Sequence, residues 1–265
     1  MSDGKNGKGW RVTCFVTVRL IVMIFIADTV CAMNARTVGM PWNAKQQDAL
    51  KILLSMRESY KDIDGYTAVM VKGEPQAGKS NASQKIFVKF KKPFKVYMKW
   101  IGDKHAGREV LYVQGENNDN LFAKPDGFLG NILRMVKLPS THRSDGSRHT
   151  VKDVGIGKLV ESILDITLQA KRKNDLNLVC NGVVVRNGRK AYEIERFLPQ
   201  DKDCYEYKRV VMYVDTATKL PLEVYAYGKD GKLKEFCVYQ DITLNPSLKD
   251  TEFTVNNKEY GFRYL

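Results

Sequence analysis

The chain of 265 residues is short of the groups that most enzyme chemistry needs. It carries three histidines (His105, His142 and His149) and five cysteines. None of the histidines stands at metal-ligand spacing from another histidine or a cysteine, and no CxxC pair occurs. Neither a zinc site nor thioredoxin-type exchange is therefore suggested. There is no GxSxG string, no Cys–His signature and no prominent carboxylate pair, so no catalytic activity and no cofactor is expected. Tandem repeats and an obvious linker are also missing, which favours one domain. The apolar run Leu20–Ala27 is too short to cross a bilayer core of ~30 Å, which takes about 20 residues.

That run does suit another purpose. A polar, basic stretch precedes it and Val30-Cys31-Ala32 follows it, the three parts of a secretory signal. Residues 1–32 are expected to be removed, leaving 33–265 as a single periplasmic domain. An uncleaved anchor in the inner membrane is the alternative, if Val12–Val18 joins the run. Val30 and Asp28 do not fit a lipidation box around Cys31. Without the signal three cysteines stay, Cys180, Cys204 and Cys237, so at least one is unpaired; a Cys180–Cys204 disulfide is left open.

Net charge is +13. About +11 lies beyond residue 32, a balance that favours anionic partners without choosing among them. Hydrophobic residues make up 43%, enough for a sizeable core.

Periodicity predicts mostly strands. A helix from about Asn43, with Gln46 in capping-box spacing, places Ala49, Leu50, Leu53, Leu54 and Tyr60 on one face. Strands follow at Tyr66–Lys72, Lys85–Lys91 and Phe94–Trp100. In the last two, apolar residues alternate with lysines, as in a sheet with one wet face. Glu109–Gln114 and Asn120–Lys124 form a hairpin. Residues 125–150 read as a long connection with a helical turn, and Gly157–Lys171 as an amphipathic helix. A meander closes the chain: Leu178–Arg186, Lys190–Phe197, Tyr205–Val214, Leu222–Tyr227 and Leu233–Ile242. Asn187-Gly188 supplies a type I′ turn between the first two. The fold class is mainly β (α+β) and antiparallel.

Gly73–Ser80, GEPQAGKS, matches the phosphate-binding pattern GxxxxGK[ST]. That pattern works only where a helix begins at the Lys-Ser. Here the next residues lead straight into an alternating strand, so we read a hairpin loop and expect no nucleotide. Asn81-Ala82-Ser83 is a glycosylation sequon by pattern alone. The row Lys85, Lys89, Lys91, Lys92, Lys95 and Lys99 reads as an outward sheet face suited to anionic lipid; nucleic acid is not an expected partner of an exported chain.

Several strings resemble the LolA-like group of outer-membrane lipoprotein-sorting proteins: KKPFKVYMKW (Lys91–Trp100), YVDTATKLPLEV (Tyr213–Val224) and YQDITLNPSLKDTEFTV (Tyr239–Val255). Gly107–Gly127 and His149–Glu161 resemble, more narrowly, an uncharacterised domain-of-unknown-function family within that group. The likeness spans roughly residues 45–260. It implies a strongly curved antiparallel sheet, an incomplete β-barrel, with an N-terminal helix and a second helix closing the concave face. It also implies a non-catalytic carrier or sensor for a lipid, a lipoprotein acyl chain or another hydrophobic ligand. The chain departs from the carriers in its 125–150 segment and its basic charge, and no unique residue matches their lid-controlling arginine. An envelope scaffold that uses a basic face and has no ligand cavity is the competing reading.

For a ligand face the residues offered are Val88, Phe90, Val96, Met98 and Trp100 from the strands, and Leu159, Ile163 and Leu164 from the second helix. Phe128, Leu129, Ile132 and Leu133, between Gly127 and Gly130, form an apolar cluster that either covers such a cavity or plugs the core.

Overall fold

The computed structural model describes residues 44–75, 83–132, 135–143 and 147–262. The predicted signal and Asn43 lie outside these residues, as do most of the GEPQAGKS string and Leu133.

The order of elements is α1 (Ala44–Lys61), β1 (Gly65–Gly73), β2 (Gln84–Lys91), β3 (Lys95–Trp100), β4 (Glu109–Val113), β5 (Asn120–Lys124), α2 (Gly127–Ile132) and β6 (Val136–Pro139). Then come α3 (Ile156–Arg172), β7 (Asn177–Arg186), β8 (Arg189–Phe197), β9 (Arg209–Asp215), β10 (Pro221–Tyr227) and β11 (Leu233–Leu244). The eleven strands form one antiparallel sheet in the order β6-β5-β4-β3-β2-β1-β11-β10-β9-β8-β7. Two meanders are thus joined at one seam, where β1 pairs with β11 from Tyr66↔Leu244 to Gly73↔Phe236. The sheet is curved and open.

Local chemistry explains the turns. Asn187 and Gly188 both have positive φ (48° and 76°), as a type I′ hairpin requires. In the Asp215 turn the carboxylate Oδ1 accepts from the backbone N–H groups of Ala217 and Thr218, at 2.8 and 2.7 Å. The GEPQAGKS string starts at the end of β1, and its far flank enters β2, which pairs antiparallel with β1. Two sequence expectations need correcting. Residues 125–150 include the edge strand β6 beside β5, whose four residues are too few to show alternation. The strand expected from Tyr205 begins at Arg209, and Tyr205 instead donates to Asp175 at 2.9 Å. Cys180, Cys204 and Cys237 are free thiols.

The concave face carries the main core. Tyr66, Ala68 and Met70 of β1, Ile86, Val88 and Phe90 of β2, and Val96, Met98 and Trp100 of β3 are buried there with α1 and α3. α1 buries Ala49, Leu50, Leu53 and Met56, whereas Leu54 is exposed. α3 buries Ile156, Val160, Ile163, Leu164, Thr167 and Ala170. Its start is pinned to the sheet: Ile156 N–H donates to the Tyr66 hydroxyl at 3.0 Å. Gly155, at φ 116°, suits only glycine without strain, and a Cβ there would press on that hydroxyl at 3.2 Å and on Phe90 at 3.3 Å.

The opposite face is not simply wet, contrary to the alternation reading. The C-terminal segment after β11 crosses it, and Phe253, Tyr260 and Phe262 pack on Tyr97, Leu111 and Val113. The rings of Tyr97 and Tyr260 stack at 3.7 Å. Burying such side chains contributes roughly 2 kcal/mol each before ordering costs. Lys89 meets Glu252 at 2.9 Å, and Asp250 takes Lys91 at 2.8 Å and Lys95 at 3.1 Å. Three of the six lysines in the row are therefore ion-paired within the chain, to two carboxylates.

One buried charge stands out on β8. Arg196 is 3% exposed and donates through Nη1 to the Ile163 carbonyl and to Thr167 Oγ1, both at 3.0 Å. Among the described residues its Nε has no hydrogen-bond partner. Burial pulls the guanidinium down to about 10. A buried cation without a carboxylate is costly. Arg196→Met is expected to leave stability unchanged or raise it in urea unfolding. Thr167→Val, which removes one of the two acceptors, is expected to cost roughly 1–3 kcal/mol. The reverse order of the two variants would contradict this reading.

Candidate functional site

The concave face is not filled. Where the segment between β6 and α3 passes over it, two adjoining hollows of about 350 and 490 Å³ are left. Each lies in the usual range of ligand pockets, about 300–1,000 Å³. They meet at Met70, Lys72, His149 and Val154, which line both.

The first lobe has an apolar floor on β2–β6. Met98, Val110, Leu121, Ala123 and Leu138 line it, as does Trp100. Trp100 is held by its indole N–H, which donates to Gln84 Oε1 at 2.8 Å. Arg108 lies over its ring, 5.6 Å from the centroid, and pairs with Asp126 at 3.1 Å. Asp126 also takes His105 Nδ1 at 2.6 Å. Burial works to raise the Asp126 carboxyl, but His105 and Arg108 bring it below the usual range.

The second lobe runs between α3 and β10–β11. Leu159 and Ile166 face Val224, Ala226 and Cys237 across it. Burial pushes the Cys237 thiol up to about 12, so it is a poor nucleophile at neutral pH. The rim is rich in carboxylates, and most are engaged. Glu161 takes Arg57 of α1 at 2.6 Å. Glu74 accepts from Ser147 Oγ at 3.0 Å and from the Arg148 N–H at 3.2 Å. Asp153 closes a capping box with Thr150. Arg148 pairs with Glu206 at 2.6 Å. These bonds tie the crossing segment to both ends of the site. Among the described residues no group of three His, Cys, Asp or Glu side chains is placed to hold a metal, and no helix is long and apolar enough to cross a membrane.

The sequence-predicted ligand residues are divided by this geometry. Met98 and Trp100 line the first lobe and Leu159 the second. Val88, Phe90, Val96, Ile163 and Leu164 are buried in the core behind them. Phe128 and Ile132 are 77% and 49% exposed on α2. Leu129 lies on the same short helix. Lys72 was missed, although Tyr66, Ala68, Met70 and Lys72 share one face of β1 by strand alternation, and a lysine ending an otherwise apolar inward row is a legible signal. His149 and Glu235 have no such signature, because chain 86 residues long separates them.

His149 Nε2 and Glu235 Oε2 are 2.9 Å apart where the lobes meet. The Glu235 bond raises the imidazole above its ordinary value against the cost of burial; Glu74 adds to the rise and Lys72 opposes it. Burial would raise Glu235, but His149 and Tyr207 outweigh it and the carboxyl falls below its usual range. A raised histidine adds stability that is complete below about pH 6.5 and fades as pH climbs through the folded value. The ring is 44% exposed, so solvent screening keeps the effect small. An NMR titration is expected to place the His149 midpoint above 6.5, and Glu235→Gln to bring it down. An unshifted midpoint in both proteins would rule out the pair.

The chain is similar to an outer membrane lipoprotein-sorting protein domain from Vibrio parahaemolyticus: 13% identity, 80% of this chain and 98% of that one, TM-score 0.38. It is similar to a LolA superfamily protein from Nitrosomonas europaea: 14% identity, 78% and 97% covered, TM-score 0.37. It is also similar to the lipoprotein LppX of Mycobacterium tuberculosis: 12% identity, 77% and 98% covered, TM-score 0.46. No curated protein matches it. Residues 63–262 match the family described as "Protein of unknown function (DUF1571)", and to that family the chain belongs.

Proposed function

We propose that this protein is a non-catalytic carrier or sensor that takes an apolar chain, of a lipid or of a lipid-modified protein, into the hollow of its sheet. The observation that carries this reading is the pair of adjoining apolar-floored lobes on the concave face. A filled core, as a scaffold would have, leaves no such space. We further propose that the protein works in the periplasm after loss of residues 1–32.

The energetics suit a carrier. A 16-carbon chain buried at ~0.8 kcal/mol per CH₂ gains about 12 kcal/mol gross. Ordering costs of several kcal/mol then bring the affinity into a reversible range. We assign ligand contact to Met98, Trp100 and Leu159. Val88, Phe90, Val96, Ile163 and Leu164 support them from the core, and α2, with Phe128, Leu129 and Ile132, flanks the first lobe beside Pro125.

The test is to fill the space without breaking the packing. Ala123 lines the first lobe and is only half-buried, so a tryptophan there projects into the hollow. Wild-type protein is expected to bind a fluorescent long-chain fatty-acid analogue. Ala123→Trp is expected to weaken it by about tenfold or more, 1.4 kcal/mol per decade, with the thermal midpoint little changed. Ala123→Ser is expected to bind as wild type. No binding by the wild type, or equal binding by the tryptophan variant, would count against the proposal.

A further inference from the structure

The two lobes differ in charge. Lys72, Arg108, Lys124 and Arg143, with His142 and His149, line the first lobe, and no aspartate or glutamate does among the described residues. Glu74, Asp153, Glu161, Asp165 and Glu235 all line the second. Cations gathered on one side of an apolar floor raise the local potential and favour an anion there.

Two of these groups have carboxylate partners: Arg108 is matched by Asp126 and His149 by Glu235. Lys124 borders the lobe, but its side chain lies on the opposite sheet face beside Glu109 and Gly261, with its Nζ donating to the Gly107 carbonyl at 2.8 Å. Lys72 and Arg143 have no ion-pair partner among the described residues. Lys72 stands at the inward end of β1, where the two lobes meet, and Arg143 belongs to the crossing segment. Below them lie Met98, Val110, Leu121 and Leu138.

We propose that the first lobe selects an amphiphile with an anionic headgroup, carboxylate or phosphate: Lys72 and Arg143 take the headgroup, and the chain lies on the apolar floor. This rests on the hydrophobic-ligand reading above and adds the chemical class of the ligand. A guanidinium and an ammonium group match the oxygens of such a headgroup with charge-assisted hydrogen bonds, and the low dielectric of the apolar floor strengthens them.

Displacement of a neutral fluorescent probe from the full-length protein separates the two ideas. Hexadecanoate, hexadecyl phosphate and hexadecanol share a chain and differ in headgroup. The two anions are expected to displace the probe at roughly tenfold lower concentration than the alcohol. That ratio should shrink as salt rises. It should approach one in the double variant Lys72→Gln/Arg143→Gln, whose thermal midpoint reports that it is folded. Should that variant not fold, Arg143→Gln alone is expected to lower the ratio. Acetate and inorganic phosphate are expected to displace nothing. Equal displacement by all three long-chain compounds would overturn the headgroup inference and leave the carrier reading standing. Displacement by inorganic phosphate or acetate would show a site for a small free anion and overturn it as well. Failure of every compound, the alcohol included, would overturn both.

Discussion

The pairing of β1 with β11 is the constraint on which the rest of the structure depends. Each half of the chain is an antiparallel meander whose strands are neighbours in sequence, and each can form locally. Only the seam from Tyr66↔Leu244 to Gly73↔Phe236 makes them one sheet. The lobes adjoin at this seam: the first uses β1–β6 on one side of it, and the second straddles it with β1, β10 and β11. Lys72 pairs with Cys237 in its register, so the residue where the lobes meet is itself part of the seam. β1 also presents the Tyr66 hydroxyl that receives the first N–H of α3, which fixes the helix over the sheet. The pairing is long-range and its ordering cost must be met before the cavity exists at all.

Against that seam the segment from Ser147 to Gly155 acts as a strap. It is held at one end by Glu74 and Glu206, in the middle by Glu235, and at the other end by Gly155 beneath Tyr66 and Phe90. Its contacts are mostly polar and partly exposed, so they cost less to open than the apolar core beneath. The convex face is arranged in the opposite way. There the C-terminal segment is stacked by aromatic rings and ion-paired to Lys89, Lys91 and Lys95, which leaves less of the basic face available to an anionic surface than the lysine row suggests.

What could be read from the sequence followed from periodicity. β2 and β3 were legible because their lysines alternate with Ile86, Val88, Phe90, Val96 and Met98. α3 was legible because Val160, Ile163, Leu164 and Thr167 repeat at helical spacing. The Asn187-Gly188 and Asp215 turns carried their own chemistry. The site was less legible. Met98, Trp100 and Leu159 were found because they are apolar and inward. The cations around them, Lys72 of β1 and Arg143 between β6 and α3, are brought together only by the tertiary pairing. Nor does alternation in a strand say which side a later segment will cover, and so the burial of Glu109 between Tyr97 and Gly261 was invisible. The resemblance to LolA-like proteins supplied the curvature that no local pattern encodes.

The central claim is that the hollow of the sheet holds an apolar chain. Native mass spectrometry of the protein, purified gently from its own cell envelope, tests it most directly. The account expects a lipid-sized adduct on the folded protein that is released on denaturation and is diminished in Ala123→Trp. An adduct-free protein that also takes up no lipid from mixed vesicles would contradict it.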